Sequence, residues 1–176
     1  MATDAIVTFY SGGVDHRGRT REEILAWDDD RLESVHDYIQ WLFPTAAPSA
    51  VNPSAPLITP DTVGAFANEP ALRERLRESL DRMLRFYGLR RESADSQGER
   101  ITVDGPRFRT RAGVWFHTGN HNHLRLTRIM QSLRTLGLVR DALALQHCLL
   151  ELADGPEGRS AVTRATRAFW SDAVKV

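Results

Sequence analysis

Apolar residues recur at three- and four-residue steps in several stretches of the chain, the spacing that places side chains on one face of a helix. In the clearest stretch, residues 32–42, the stripe consists of Leu32, Val35, Ile39 and Leu42. Three aspartates at residues 28–30 supply a cap and a negative first turn. Pro44 stops the pattern, because the residue before a proline is pushed out of the helical region. We therefore predict a central helix that ends before Pro44.

Similar patterns predict further helices. One helix is predicted at residues 70–87, with Gly88 as its C-cap. A second begins near Asn120 or Asn122 and has a Schellman-type end at Leu136-Gly137-Leu138. Two more are predicted at about 140–154 and 158–174. Two shorter helices follow start signals, which are the capping-box pair Thr20 and Glu23 and the pair Thr59-Pro60. We expect the last two helices to supply outer packing through Leu143, Leu149, Leu150, Ala153, Val162, Ala165, Phe169 and Trp170.

The remaining stretches predict little regular structure. Residues 1–18 are expected to form an extended arm, with residues 6–10 as a short extended segment. The loop from Pro44 to Pro60 holds five of the eight prolines and should run extended. Residues 89–114 predict an irregular loop with at most a brief strand at 101–103. The expected fold is all-α, a single domain over 1–176 with about six to seven helices.

Composition excludes some protein classes. With 41% hydrophobic and 26% charged residues, the chain has the composition of a globular domain. No apolar run approaches the ~18 residues of a membrane span, and the start lacks a signal-peptide pattern. Cys148 is the only cysteine, which excludes an internal disulfide and fits a reducing compartment. We expect no membrane insertion, a cytoplasmic location and a buried Cys148.

Charge is unevenly distributed although the net charge is zero. Residues 1–70 hold 11 acidic and 4 basic side chains. By contrast, residues 71–111 hold 7 acidic and 11 basic side chains, and residues 112–176 hold 5 acidic and 8 basic side chains. An acidic first third that faces a basic remainder across one core explains this pattern. The alternative is a basic surface that recruits an anionic partner.

Two polar stripes border the predicted buried faces. His36 and Gln40 are four residues apart beside the apolar stripe of the central helix. His121, Arg125 and Arg128 form a column at the start of a later helix, where free N–H groups and the helix dipole favour anions. The column therefore predicts an anion or carboxylate site.

A structural alternative explains the same column. Asn122 could cap the later helix, and the two arginines could pair with Asp37 or Glu33 of the central helix. Both interpretations stay open from the sequence.

A metal site has little support. His117, His121 and His123 cluster, but Gly119 breaks the helical geometry and no cysteine or acidic ligand accompanies them. The chain also lacks a nucleophile elbow, a phosphate loop, a dinucleotide fingerprint and a His-Glu-x-x-His motif. We expect no metal and no cofactor, and no catalytic residue is assigned.

Several of these segments resemble one known family. Leu32-Glu33, the run HDYIQWLFP at 36–44, Asn52, and the pattern HN-x-LR-x-TRI at 121–129 are similar to the conserved region of the opioid growth factor receptor family. The resemblance extends from Phe9-Tyr10 to the last predicted helix and is weakest between residues 89 and 115. It implies a peptide-binding domain of receptor type, with opioid receptor activity in the family, and it implies no catalytic residues.

We therefore hypothesise that a groove between the central helix and the HN-x-LR helix binds a short peptide or a small anionic ligand. The candidate binding residues are His36, Gln40, Trp41, Asn52, Trp115, His121, Asn122, Arg125 and Arg128. The tryptophans would offer apolar surface, Gln40 and Asn52 hydrogen bonds, and the arginines a carboxylate clamp. One alternative is an enzyme with His36 or His121 as general base. The other is a scaffold that binds protein or nucleic acid through its basic regions, although the interleaved acidic residues disfavour nucleic acid.

Overall fold

A computed structural model describes residues 4–49, 52–92 and 99–175, which form eleven helices and one two-stranded sheet. The elements are α1 (Ala5–Tyr10), α2 (Arg21–Leu25), α3 (Asp29–Ser34), α4 (Ile39–Leu42), α5 (Pro60–Asn68), α6 (Pro70–Tyr87), β1 (Leu89–Glu92), β2 (Arg100–Val103), α7 (Gly105–Trp115), α8 (Asn122–Thr135), α9 (Val139–Asp154), α10 (Gly158–Ala161) and α11 (Arg164–Asp172). The fold is mainly helical but not purely all-α, and it has more helices than expected because several are single turns.

One hydrophobic core joins these elements. The long helix α6 packs against α1, α5, α7 and β1, while α8 packs against α9 and α11. Apolar side chains from both groups meet in the same core, which also takes in the predicted buried residue Cys148. Burial raises the pKa of the Cys148 thiol to about 12. Among the described residues, no helix combines the length and apolarity needed to cross a bilayer.

The predicted extended segment at residues 6–10 is wrong, because these residues form helix α1. Asp4 caps the helix and accepts hydrogen bonds from the backbone N–H groups of Ile6 and Val7. Ile6, Phe9 and Tyr10 are buried, and their three- and four-residue spacing fits one helical face. The Tyr10 hydroxyl donates to the carbonyl of Leu42 at the end of α4. The β-branched residues favoured a strand, but the cap and the apolar spacing determine the structure.

The predicted central helix is interrupted. Helix α3 ends at Ser34 and α4 begins at Ile39, with an extended backbone at Val35. The carbonyl of Leu32 accepts from the Tyr38 hydroxyl at 2.9 Å and from an Arg125 guanidinium N–H at 3.0 Å. These donors replace the helical N–H partner of Leu32, so the chain can turn without leaving a buried carbonyl unpaired.

The local start and stop signals are confirmed. Thr20 and Glu23 form a reciprocal capping box, and Thr59 caps α5 with proline at its first turn. Gly88 ends α6 in the left-handed conformation with φ +75°. After α8, the amide of Leu138 donates to the carbonyl of Leu133, which is the Schellman pattern around Gly137.

The irregular loop predicted at 89–114 is wrong in most of its described part, but the brief strand predicted at 101–103 is confirmed as part of β2. Strands β1 and β2 pair antiparallel, with Leu89 opposite Val103. Helix α7 follows, with a proline in its first turn. Residues 93–98 of this prediction lie outside the described residues. The predicted helix at 158–174 divides into α10 and α11. Of the side chains predicted to supply outer packing, Leu149 and Trp170 are fully buried, whereas Leu143 and Phe169 are about half exposed.

Acidic residues from the first third of the chain meet arginines from the remainder. The Asp29 carboxylate lies 2.9 Å from Arg82, 3.0 Å from Arg107 and 3.8 Å from Arg111. Arg82 and Arg111 are themselves buried. Internal complementarity across one core therefore accounts for part of the charge asymmetry.

We predict that Gly88→Ala lowers the free energy of unfolding by about 2–4 kcal/mol, because it combines left-handed strain with overpacking. A Cβ at this position would lie 2.5 Å from the Cα of Phe108. Chemical denaturation measures the loss. The matched control is Gly113→Ala in α7, where a Cβ meets nothing within 4 Å. This change should stabilise the protein by about 0.5–1 kcal/mol, and equal effects of the two variants would contradict the role of Gly88.

Candidate functional site

A groove of about 410 Å³ lies between α4 and the first half of α8. We call it the α4–α8 groove. Its lining consists of His36, Ile39, Gln40, Pro48, Ser49, His121, Leu124, Arg125, Thr127, Arg128, Gln131 and Phe169. Five of the nine residues predicted for ligand binding therefore border one cavity.

Arg125 forms the floor of this groove and is only 5% exposed. Besides Leu32, its guanidinium donates to the carbonyl of Val35 at 2.9 Å and to Asn122 Oδ1 at 3.3 Å. Its nearest carboxylate oxygen, on Glu33, lies 3.9 Å away. The main partners of Arg125 are thus backbone carbonyls at the break between α3 and α4, which is a structural role.

His36 and His121 stand at one end of the groove, with their rings 5.1 Å apart in an edge-to-face arrangement. An Arg125 N–H points at His36 Nδ1 at 3.1 Å, so Nδ1 is the acceptor and the proton of the neutral imidazole belongs on Nε2. His121 Nε2 lies 3.4 Å from a Glu33 carboxylate oxygen. Burial and the charge of Arg125 lower the pKa of His121. The lowered pKa favours the neutral form of the His121 imidazole.

Arg128 differs from Arg125 although it lies one turn further along the same stripe. Its Nη1 group donates to the carbonyl of Phe43 at 3.3 Å and to Thr45 Oγ1 at 3.1 Å. Its Nε and Nη2 groups have no hydrogen-bond partner among the described residues, and no carboxylate lies within 4 Å of the guanidinium there. Burial lowers the pKa of Arg128. A partly desolvated cation therefore borders the groove with one edge of its guanidinium free.

Gln40 has a buried polar side chain that lines the groove and lacks a hydrogen-bond partner for one of its atoms among the described residues. It is 4% exposed, and its Oε1 atom has no hydrogen-bond partner in the described chain. An unpaired buried amide oxygen costs about 1–3 kcal/mol of stability. A ligand N–H in the groove would remove that cost.

Apolar residues form a rim of the groove. Leu124 is 64% exposed and Phe169 is 55% exposed, whereas Ile39, which also lines the groove, is buried. Leu124 and Phe169 were not among the predicted site residues. The helical spacing of Leu124 between His121 and Arg128 was a usable signal, but Phe169 comes from α11, and its position follows only from tertiary packing.

Asn52 and Trp41 lie on the other side of His36. A cleft of about 720 Å³ is lined by Asn52, Asp37, His36 and residues around Arg19, so His36 borders both cavities. The Nδ2 group of Asn52 is buried without a partner in the described part of the chain. The Trp41 ring is 7% exposed, and its N–H donates to the nearby His16.

The remaining candidates are enclosed by the protein. Trp115 is fully buried and its N–H donates to the carbonyl of Tyr87 at 3.0 Å. Asn122 is also fully buried, and its amide donates to a Glu33 carboxylate oxygen at 2.9 Å. Asp37 pairs with Arg19 at 2.9 Å, so neither groove arginine needs it as a partner.

The start of α8 is not an open anion site. The side-chain oxygen of Asn120 accepts a hydrogen bond from the backbone N–H of Asn122 at 2.9 Å. The backbone carbonyl of Asn120 accepts one from the backbone N–H of His123. The other histidines have separate partners, since His117 faces Asn120 and His123 faces the carbonyl of Trp115. Across residues 4–49, 52–92 and 99–175, no three potential metal ligands come together.

A separate cavity of about 440 Å³ lies between β2, α7 and α9. Its walls are mainly apolar, with Val103, Phe108, Phe116 and Leu152. None of its lining residues carries an unpaired buried polar atom. Arg100, Glu151 and Glu157 also line it, but among the described residues it offers no unpaired buried polar atom like that of Gln40.

We predict that Arg125→Leu lowers the free energy of unfolding by about 3–5 kcal/mol, since it leaves buried carbonyls at the helix break unpaired. Arg128→Leu should cost only about 1 kcal/mol, because its hydrogen bonds are partly exposed. Thermal and urea unfolding measure both values. Arg134→Leu on the same helix, at a partly buried arginine, is the control and should stay within about 0.5 kcal/mol. If Arg125→Leu unfolds like this control, the bridging role of Arg125 is wrong.

Comparisons with known proteins agree with the motifs that surround the groove. The sequence model of the family described as "Opioid growth factor receptor (OGFr) conserved region" matches residues 7–175. The chain is 40% identical over 134 residues to the opioid growth factor receptor of Mus musculus, covering 74% of this chain and 20% of that protein. The chain is 38% identical over 153 residues to the opioid growth factor receptor of Rattus norvegicus, covering 82% of this chain and 25% of that protein.

A second group of relatives is more distant. The chain is 32% identical over 125 residues to opioid growth factor receptor-like protein 1 of Mus musculus, covering 66% of this chain and 24% of that protein. The chain thus spans about a quarter or less of the length of these relatives. No solved structure matches it. The match over residues 7–175 shows that the chain belongs to the opioid growth factor receptor family.

Proposed function

We propose that this chain is a receptor-type binding domain whose α4–α8 groove holds a short peptide or a small anionic ligand. The observation that carries the proposal is the free guanidinium edge of Arg128 beside the unpaired amide of Gln40 in one cavity. A cation that has lost part of its hydration without a carboxylate partner favours an anionic group. The names of the relatives, which call the mouse and rat proteins receptors, support a binding role.

The general-base alternative has weaker support. A base needs a free nitrogen lone pair, and the Nδ1 lone pair of His36 already faces the Arg125 guanidinium at 3.1 Å. His121 faces Glu33 with Nε2, which leaves its Nδ1 lone pair free, but no hydroxyl or thiol nucleophile is hydrogen-bonded to His121 in the described part of the chain. A nucleic-acid scaffold is also less well supported, because many of the arginines are paired with acidic side chains of the same chain.

We predict that short peptides perturb the groove in solution. The ¹⁵N-labelled protein would be titrated with a pool of unrelated N-acetylated pentapeptides and separately with sodium phosphate. Amide shifts should concentrate in α4, the following loop and the first half of α8. Arg128→Leu should weaken the binding by roughly 30-fold or more, about 2 kcal/mol, because a charge-assisted contact is lost.

Arg134→Leu serves again as the control and should bind like the unchanged protein. Shifts confined to β2, α7 and α9 would move the site to the separate apolar cavity and contradict the proposal. The absence of shifts with both probes at millimolar concentration would also contradict it.

A further inference from the structure

We propose that the α4–α8 groove recognises the free carboxy-terminus of a peptide whose last residue is bulky and apolar. This inference rests on the proposed function and narrows its ligand class. It excludes an inorganic anion and an internal peptide segment as the preferred ligand.

The free edge of Arg128 fits a carboxylate. Its Nη1 group is engaged by Phe43 and Thr45, which fixes the guanidinium plane at the end of α4. The remaining Nε and Nη2 groups form the two-donor fork that meets both oxygens of a carboxylate. Because Nη1 is already anchored, little side-chain entropy is lost when a ligand binds.

Gln40 adds a requirement that an inorganic anion does not meet. Its unpaired Oε1 is an acceptor that needs an N–H donor, and a carbonyl dipole repels a bare anion. Gln40 precedes Phe43 by three residues, which places it one helical turn from the carbonyl that holds Arg128. The last residue of a peptide carries an N–H and a carboxylate on the same Cα, so it supplies both groups at close separation.

The imidazole of His36 adds a second donor. Because Nδ1 accepts from Arg125, the neutral ring carries its proton on Nε2, on the side away from that arginine. His36 is exposed at the groove, so this N–H can meet ligand oxygens. Of the lining residues, none is acidic, and the two arginines leave the groove with an excess positive charge.

The apolar rim determines what the last side chain should be. Leu124 and Phe169 expose more than half of their surface beside Ile39. Covering these residues with an aliphatic or aromatic side chain removes apolar area from water. A terminal glycine or aspartate gives no such contact, so the rim discriminates between terminal residues.

The test uses four N-acetylated pentapeptides of otherwise identical sequence. They end in leucine as the free acid, in leucine amide, in leucine with an N-methylated last peptide bond, or in aspartate as the free acid. Dissociation constants come from titrations followed by protein amide shifts. We expect the leucine acid to bind at least roughly tenfold more tightly than each of the other three peptides.

Protein variants assign each effect to a residue. In Arg128→Leu the ratio between leucine acid and leucine amide should fall to about one, and in Gln40→Leu the N-methyl penalty should disappear. Arg134→Leu should keep both ratios. Thermal unfolding verifies that the variants are folded, which is expected because Gln40 Oε1 has no partner to lose.

Equal binding of acid and amide in the groove would overturn this inference while the proposed function stands. A difference between acid and amide that persists in Arg128→Leu would overturn it as well. Binding of phosphate that equals that of the leucine acid would identify a general anion site instead. If none of the peptides shifts groove amides, the proposed function itself is wrong.

Discussion

The buried guanidinium of Arg125 is the interaction on which the site depends. It connects α8 to the carbonyls of Leu32 and Val35, residues that precede it by about 90 positions in sequence. An arginine is expensive to bury, and it is tolerated here because carbonyl, amide and imidazole acceptors surround it. The carbonyls of Leu32 and Val35 accept hydrogen bonds from Arg125, so they do not need the backbone N–H donors that a continued helix would supply. His36 lies in the break that follows and Gln40 in α4 just after it, and both line the α4–α8 groove.

Two arginines on one helical stripe have different environments for a simple geometric reason. Arg125 faces the helix break, where several acceptors converge on its guanidinium. Arg128 is one turn further along α8 and meets only the end of α4, where two acceptors take up a single amino group. The difference leaves Arg128 with unused donors in a partly desolvated place. The same residue type thus stabilises the fold at one position and remains available to a ligand at the next.

The parts of the fold that the sequence predicted are those set by local contacts. Thr20, Thr59, Gly88 and the Leu136–Leu138 turn each act within a few residues, so their effect can be derived from the sequence alone. The interruption of the central helix was not predictable in this way, because the distant Arg125 supplies donors to the carbonyls at the break. The strand at 101–103 was predicted, but β1 and α7 were missed because their polar, arginine-rich composition conceals a modest apolar face.

In the candidate site, too, local spacing predicted some residues correctly, whereas tertiary packing determined the others. Helical spacing placed His36 and Gln40, and then His121, Arg125 and Arg128, on two stripes, and the structure puts these stripes at one groove. Spacing could not reveal that Trp115 and Asn122 turn into the core. Equally, nothing in the local sequence brings Phe169 to the groove, because that placement requires α11 to pack beside α8.

The distribution of unpaired polar atoms gives a physical reason to favour this groove over the other cavities. Nine buried side-chain atoms lack a hydrogen-bond partner among the described residues. Most belong to groups such as Arg82 and Asp141 whose other atoms are already paired in the protein interior. Only Gln40 and Asn52 place such an atom beside a described cavity, and they lie on opposite sides of His36. Because these two amide side chains line cavities, they are the members of the set that a bound ligand is placed to satisfy.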